Sequence, residues 1–280
     1  MPAMATTAEV RDLLATTSLP ADLVDELLEH ASAAWLVGEP ATALAADLAL
    51  CHPPLADEEV RAVVHPTAAP ATWRVCVVAH DRPGLLAGAA GALATRSLSI
   101  TSASGSLWPD RGLALVSLTA RVAGGGAVTT ADWDEIGERL RAVIGRQEHI
   151  EPDQVGFRPM APVKVDATAE EHGRAVVTIE TPDRVGLLWA TAHWFEEHGS
   201  NIEAVTIATE GDLARDTFVV VGDAGEVDTV GLAALLGGGP AAAVDLPSAL
   251  LRIGVQATLA AGAVLAGLAL RALRAGRSDR

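Results

Sequence analysis

The chain has no tyrosine, only three phenylalanines, and a single lysine, Lys164, among its 20 basic residues. A core must therefore be assembled from Ala, Val, Leu and Ile around six tryptophans, not from many large rings. Positive charge is scarce as well: 20 Lys and Arg stand against 36 Asp and Glu in 280 residues, a formal charge of −16. A nucleic-acid surface needs clustered cations to neutralise phosphates, and no such cluster occurs, so the composition argues against nucleic acid as a partner. Cysteine is limited to Cys51 and Cys76, the second inside an apolar run. Two distant thiols fit small buried hydrophobes in a reducing compartment better than a disulfide framework. With 50% hydrophobic residues and no Gly-X-Y period, disordered and collagen-like classes are excluded, and the length suits about two domains.

The first 18 residues carry Glu9 and Asp12 and no apolar core, so export is not expected and the cytoplasm is the expected compartment. Residues 253–270 are uncharged and flanked by Arg252 and by Arg271, Arg274 and Arg277. They read either as a weak membrane association or anchor, or as an apolar helix docked on the protein or on a second copy. Eighteen residues diluted by Gln256, Thr258 and several Gly and Ala sit at the lower limit for a span, which favours docking.

Helical patterning covers residues 6–64, opening with Thr6 and Glu9 at capping-box spacing and continuing with Leu23, Leu27, Leu28 and Ala31 on one face. Gly38-Glu39-Pro40 breaks it before a short helix over 41–50, and a last helix is expected over 56–64. Residues 66–70 read as a linker, after which Trp73-Arg74-Val75-Cys76-Val77-Val78 has strand composition.

An internal repeat carries most of the information. Asp81-Arg82-Pro83-Gly84-Leu85-Leu86 recurs as Asp183-Arg184-Val185-Gly186-Leu187-Leu188, identical at five of six positions. Each copy follows an apolar strand and precedes a helix, and each Gly lies 16 residues before an isoleucine, Ile100 and Ile202, in the next strand. A third β-rich run follows in each copy, then a helix over 130–146 in the first and 227–236 in the second. Closing strands are expected near 149–156 and 242–246. The resulting order is βαββαβ, so the fold class is α+β with two ferredoxin-like units. The expected domains are a helical region and linker at 1–70, the first unit at 71–160, the second at 161–246, and a C-terminal apolar helix with a basic tail at 247–280.

Strand, Asp-Arg-x-Gly-Leu-Leu turn, helix, then Gly199-Ser200-Asn201-Ile202 opening the next strand resembles the ACT-domain family of small regulatory modules. The pair is most similar to the tandem ACT domains of the PII uridylyltransferase/uridylyl-removing enzymes. That similarity includes Val163-Lys164-Val165-Asp166 and Asp216-Thr217-Phe218-Val219-Val220. It implies a regulatory role in nitrogen metabolism, a small amino acid as ligand with glutamine favoured, a homodimer, and a regulatory protein partner. The nucleotidyltransferase and His-Asp domains of those enzymes find no place in the first 70 residues, so no catalysis is expected. No cofactor is implied, and the dispersed histidines, with His193 and His198 five apart and His80 alone, give no metal site.

The candidate ligand-binding residues lie at the two turns. Gly84 and Gly186 lack a Cβ and let a ligand approach the backbone, while first-turn N–H groups beside Leu85 and Leu187 can receive a carboxylate. Asp81 and Asp183 can accept from a ligand ammonium or from backbone N–H groups. Arg82 and Arg184 could meet acidic groups or be solvated. Asn201, with Ile202, stands where the resemblance places a ligand-bonding amide; the first copy has Ser99 there. This makes the second site the closer match to the binding pattern. Ordinary loop and cap chemistry explains the same residues, and a ligand-free interaction module held by the C-terminal helix is the alternative reading.

Overall fold

The computed structural model describes residues 5–125, 127–222 and 227–239. The expected strand at 242–246 and the apolar helix at 253–270 lie outside them. Among the described residues no helix is long and apolar enough to cross a membrane.

Four short helices open the chain: α1 (Thr7–Leu14), α2 (Ala21–Glu29), α3 (Ala33–Gly38) and α4 (Ala41–Ala49). The Thr6 hydroxyl accepts from the Glu9 N–H, and the Glu9 carboxylate accepts from the Thr6 N–H, so the expected capping box starts α1. The helix expected over 56–64 is absent. In its place β1 (Arg61–Pro66) pairs antiparallel with β2 (Thr72–His80), and the expected linker at 66–70 is the turn between them, closed by Thr67 N–H donating to Thr72 O. The β-branched Val63 and Val64 favour the strand, and pairing with Val75 and Cys76 of β2 supplies what local pattern could not show.

The chain continues through α5 (Leu85–Ala94), β3 (Leu98–Trp108), β4 (Leu113–Val122) and α6 (Thr130–Leu140), which runs on as a π-helical turn over Arg141–Gly145. Where a closing strand was expected near 149–156, the chain forms the one-turn helix α7 (Pro152–Val155). The second half repeats the plan with β5 (Lys164–Ala169), β6 (Arg174–Pro182), α8 (Leu187–Glu197), β7 (Ser200–Glu210), β8 (Leu213–Gly222) and α9 (Thr229–Gly237). Within the described residues each half thus reads ββαββα: an outer strand comes before the first expected strand, and in the first half a one-turn helix stands where the closing strand was expected.

Among the described residues eight strands join one antiparallel sheet in the order β1-β2-β4-β3-β7-β8-β6-β5. The order reads the same from either edge, with β3 and β7 meeting through Ser102 opposite Ala208 and Ala103 opposite Ile207. One sheet face packs on α5, α6, α8 and α9 through Val75, Val77, Ala79, Val177, Ile179, Phe195 and Phe218. Because side chains alternate along a strand, Cys76 and Val78 point the other way, into a second core built by the N-terminal helices with Trp35, Trp108, Leu113 and Leu115. Strand β2 is consequently buried on both faces, whereas β6 alternates between buried and partly exposed residues.

A buried polar cluster fastens the N-terminal helices to the sheet. Both terminal nitrogens of Arg74 donate to the fully buried Asp47, Trp35 Nε1 donates to Asp47 at 3.2 Å, and Glu39 lies 2.9 Å from Arg74 Nε. Burial opposes the arginine's charge, but these two carboxylates hold its pKa above the ordinary value. Trp108 Nε1 adds a hydrogen bond to Leu27 O at 3.0 Å. Both cysteines are buried and free, and burial pushes the Cys51 thiol up to about 12, well out of the reactive range.

Candidate ligand-binding site

The two Asp-Arg-x-Gly turns hold equivalent places. Gly84 and Gly186 are the N-caps of α5 and α8 at φ of 81° and 79°, a left-handed conformation that a β-carbon would strain. Asp81 N–H donates to Gly112 O and Asp183 N–H to Asp212 O, both at 2.8 Å, fixing each turn to the hairpin beside it. The palindromic sheet then sets each turn against the other half of the molecule. Asn201 and Ile202, at the start of β7, line a cavity with Asp81, Gly84 and Leu85, while Ile100, at the start of β3, lines a second one with Arg184, Gly186 and Leu187. Asn201 is therefore brought together with Asp81, not with Asp183, and the residue that reaches Asp183 is Ser99.

The two cavities differ because the side chains at matching positions differ. The first measures about 70 Å³ and the second about 10 Å³. Where the first has Ala87, Gly105 and Val116, the second has Trp189, Ile207 and Asp216, so bulk fills it. Gly105 is demanded by its strand, since a β-carbon there would stand 2.6 Å from the Leu115 carbonyl oxygen. The first cavity is far smaller than the ~300–1,000 Å³ of cofactor and drug sites, which suits a compound of few heavy atoms.

Asp81 has no side-chain partner among the described residues, and desolvation raises its pKa. Asn201 is exposed at the cavity and likewise uncommitted. Asp183 is the opposite case. Its side chain is 2% exposed and accepts from Ser99 Oγ at 3.0 Å and Arg121 at 3.1 Å, both from the first half. Ser99 and Arg121 face each other on β3 and β4, and the corresponding pair in the second half is Asn201 and Val221. No arginine can therefore reach Asp81 from the matching position.

Both arginines of the motif donate to backbone carbonyls. Arg184 Nε donates to Arg158 O at 2.8 Å, and its terminal nitrogens donate to Thr181 Oγ1, Pro182 O and Leu236 O, closing the C-terminal end of α9. Its guanidinium lies 5.1 Å from the Phe157 ring centroid. Arg82 reaches the matching helix end through Gly145 O at 3.4 Å, more loosely, and its buried Nε has no partner. Cationic donors at helix C-termini satisfy orphan carbonyls and oppose the helix dipole.

Three residues that the motif reading did not single out shape the region. Asp216 is 2% exposed, its Oδ1 has no partner, and burial followed by the charge of Asp183 pushes its pKa to about 8, against a lowering by Arg184. A charged residue between Ala214 and Phe218 in the inward register of β8 was the available signal. Arg121 was visible only through strand pairing. Glu196 lines the first cavity, although it belongs to α8 of the second half. His193 stacks on Trp189 with centroids 5.1 Å apart and lies between Glu196 and Glu197. No group of three or more His, Cys, Asp and Glu placed to hold a metal occurs among the described residues. No family model matches the chain, and no curated protein matches it in sequence.

Proposed function

We propose that this protein is a non-catalytic sensor that binds a small amino acid in the cavity between the Asp81–Leu85 turn and the Asn201–Ile202 segment. Each half is then a ferredoxin-like ACT unit whose outer strand precedes the motif, and the pair acts on a regulatory protein partner, as a homodimer in the cytoplasm. The observation that carries the reading is the juxtaposition, across two halves, of an uncommitted carboxylate, an uncommitted amide and a glycine-opened helix N-terminus around a cavity of about 70 Å³. Asp81 would take the ligand ammonium, the first turn of α5 its carboxylate, and Asn201 a polar side chain; glutamine is favoured through the family resemblance. The second turn supplies no ligand site here, because Ser99 and Arg121 already satisfy Asp183 and Trp189 and Ile207 fill the space.

A ligand between the halves alters an equilibrium only by its differential affinity for two arrangements, so sensing must appear as ligand-dependent assembly or partner affinity. The test is thermal unfolding against the twenty amino acids at millimolar concentration, with Asp81→Asn and Asn201→Ala. A ligand at a hundredfold over its Kd adds about 2.7 kcal/mol of stability. A selective rise in midpoint, lost in both variants, is the expected result. No rise with any amino acid, in wild type or in Glu196→Gln, which removes the charge that lines the cavity beside Gly84, would refute the reading and leave an interaction module without ligand.

A further inference from the structure

The first cavity contains a carboxylate of its own at the place where a ligand carboxylate would enter. A β-carbon built on Gly84 would lie 2.5 Å from Glu196 Oε1 and 3.0 Å from Oε2, so the acid end of Glu196 rests directly over the turn that opens α5. That helix is ten residues long and has no side-chain cap. Glu196 also lines the larger groove on the other side of Gly84, which is bordered by His149, Ile150 and Trp189, and so it stands on the partition between the two spaces.

The arrangement is particular to this turn. At Gly186 the matching space is taken by Val155 and Phe157, whose side-chain carbons would stand 2.7 and 2.9 Å from a β-carbon. The helix position matching Glu196 in the first half is Ala94. Among the described residues no hydrogen bond anchors the Glu196 carboxylate over Gly84: it lies 3.6 Å from His193 on its own helix, and its side chain is 40% exposed. It is held loosely and can swing toward solvent at the cost of a rotamer change.

We infer that Glu196 is a specificity-determining residue of this site, an internal competitor whose carboxylate covers Gly84 at the start of α5 and repels a second negative charge on the ligand. The inference rests on the amino-acid reading of the cavity. A zwitterionic amino acid binds by displacing one flexible carboxylate with its own. An amino acid with an acidic side chain brings a further charge into a space bordered by Asp81, Glu196 and Glu203, and is disfavoured. Against these stands Arg82, the one cation of the lining among the described residues, with Glu203 already paired to Arg174.

The experiment is calorimetric titration of the full chain with glutamine, glutamate and lysine, for wild type, Glu196→Gln and Glu196→Asp. In wild type, glutamate is expected to bind at least about tenfold more weakly than glutamine, the effect of one uncompensated charge near a protein surface. Glu196→Gln is expected to tighten glutamine several-fold and to narrow the gap to glutamate. Glu196→Asp, which keeps the charge but withdraws it from Gly84, should tighten glutamine as well, whereas an effect of net charge alone would leave it at the wild-type value. Binding of glutamine that is unchanged or weakened in both variants would overturn the inference while leaving the sensor reading intact. Absence of binding by any of the three proteins would remove the reading itself, and binding that appears only in Glu196→Gln would support both.

Discussion

Replacing Asp216 by Asn probes the seam between the two halves, where a buried carboxyl whose Oδ1 has no hydrogen-bond partner among the described residues lies beside Asp183. Its pKa rises from about 3.9 in an unfolded chain to about 8 in the fold. Between those values the folded protein holds a proton that the unfolded chain has released. Stability from this group is therefore intact below pH 4 and is lost as pH rises through about 8. The four-unit gap corresponds to ~5 kcal/mol of lost stability at the alkaline end. Asparagine carries no such linkage and leaves only an unpaired amide, a pH-independent cost of about 1–3 kcal/mol. The variant should thus be less stable than wild type near pH 4.5 and more stable near pH 8.5. Urea unfolding at half-unit pH steps measures this, and between pH 5 and 7.5 the difference should grow by about 1.4 kcal/mol per pH unit. Asp216→Val, which installs the residue found at the matching position, Val116, should show the same slope without the amide penalty. Two stability curves that run parallel across this range would refute the reasoning, because Asp216 would then be ionised in the fold.

Asp183→Asn should lower the midpoint of the Asp216 linkage, since the neighbouring charge is removed, while the lost contact to Arg121 weakens the seam; titration of the unfolding free energy checks both. Asp47→Ala removes one of the two carboxylates paired with the buried Arg74, leaving Glu39, and should cost about 3 kcal/mol, read by denaturant unfolding. Arg184→Ala should loosen the C-terminal end of α9 by about 2–3 kcal/mol and raise amide exchange there, leaving ligand binding at the Asp81 turn unchanged.

The repeat made most of the architecture legible from residues alone. Two equal motifs at equal spacing from Ile100 and Ile202 placed β2, α5, β3 and β4 and their counterparts, and Thr6 with Glu9 marked the start of α1. The outer strands were missed because Arg61–Pro66 has few residues to alternate and gains its order from pairing with β2, a contact that local pattern does not encode. In the first half the sheet edge is completed by β1, ahead of the motif, and the 149–156 segment is left to form the one-turn helix α7. At the site, chemistry was assigned by sequence neighbourhood, which put Asn201 with Asp183. The pairing of β3 with β7 instead crosses the halves, so each turn meets the strand start of the other copy. Glu196 and Arg121 act through that crossing and carry no local signature.

The palindromic sheet has a consequence for stoichiometry. Two identical chains meeting at the β3–β7 seam would own two identical crevices and would be bound to fill, or leave empty, both under the same rules. Joining the copies in one polypeptide frees each crevice to change alone. Here one has become a rivet, with Asp183 fastened by Ser99 and Arg121, and the other has remained open. The chain thereby keeps one open crevice and uses the other to fasten its two halves together.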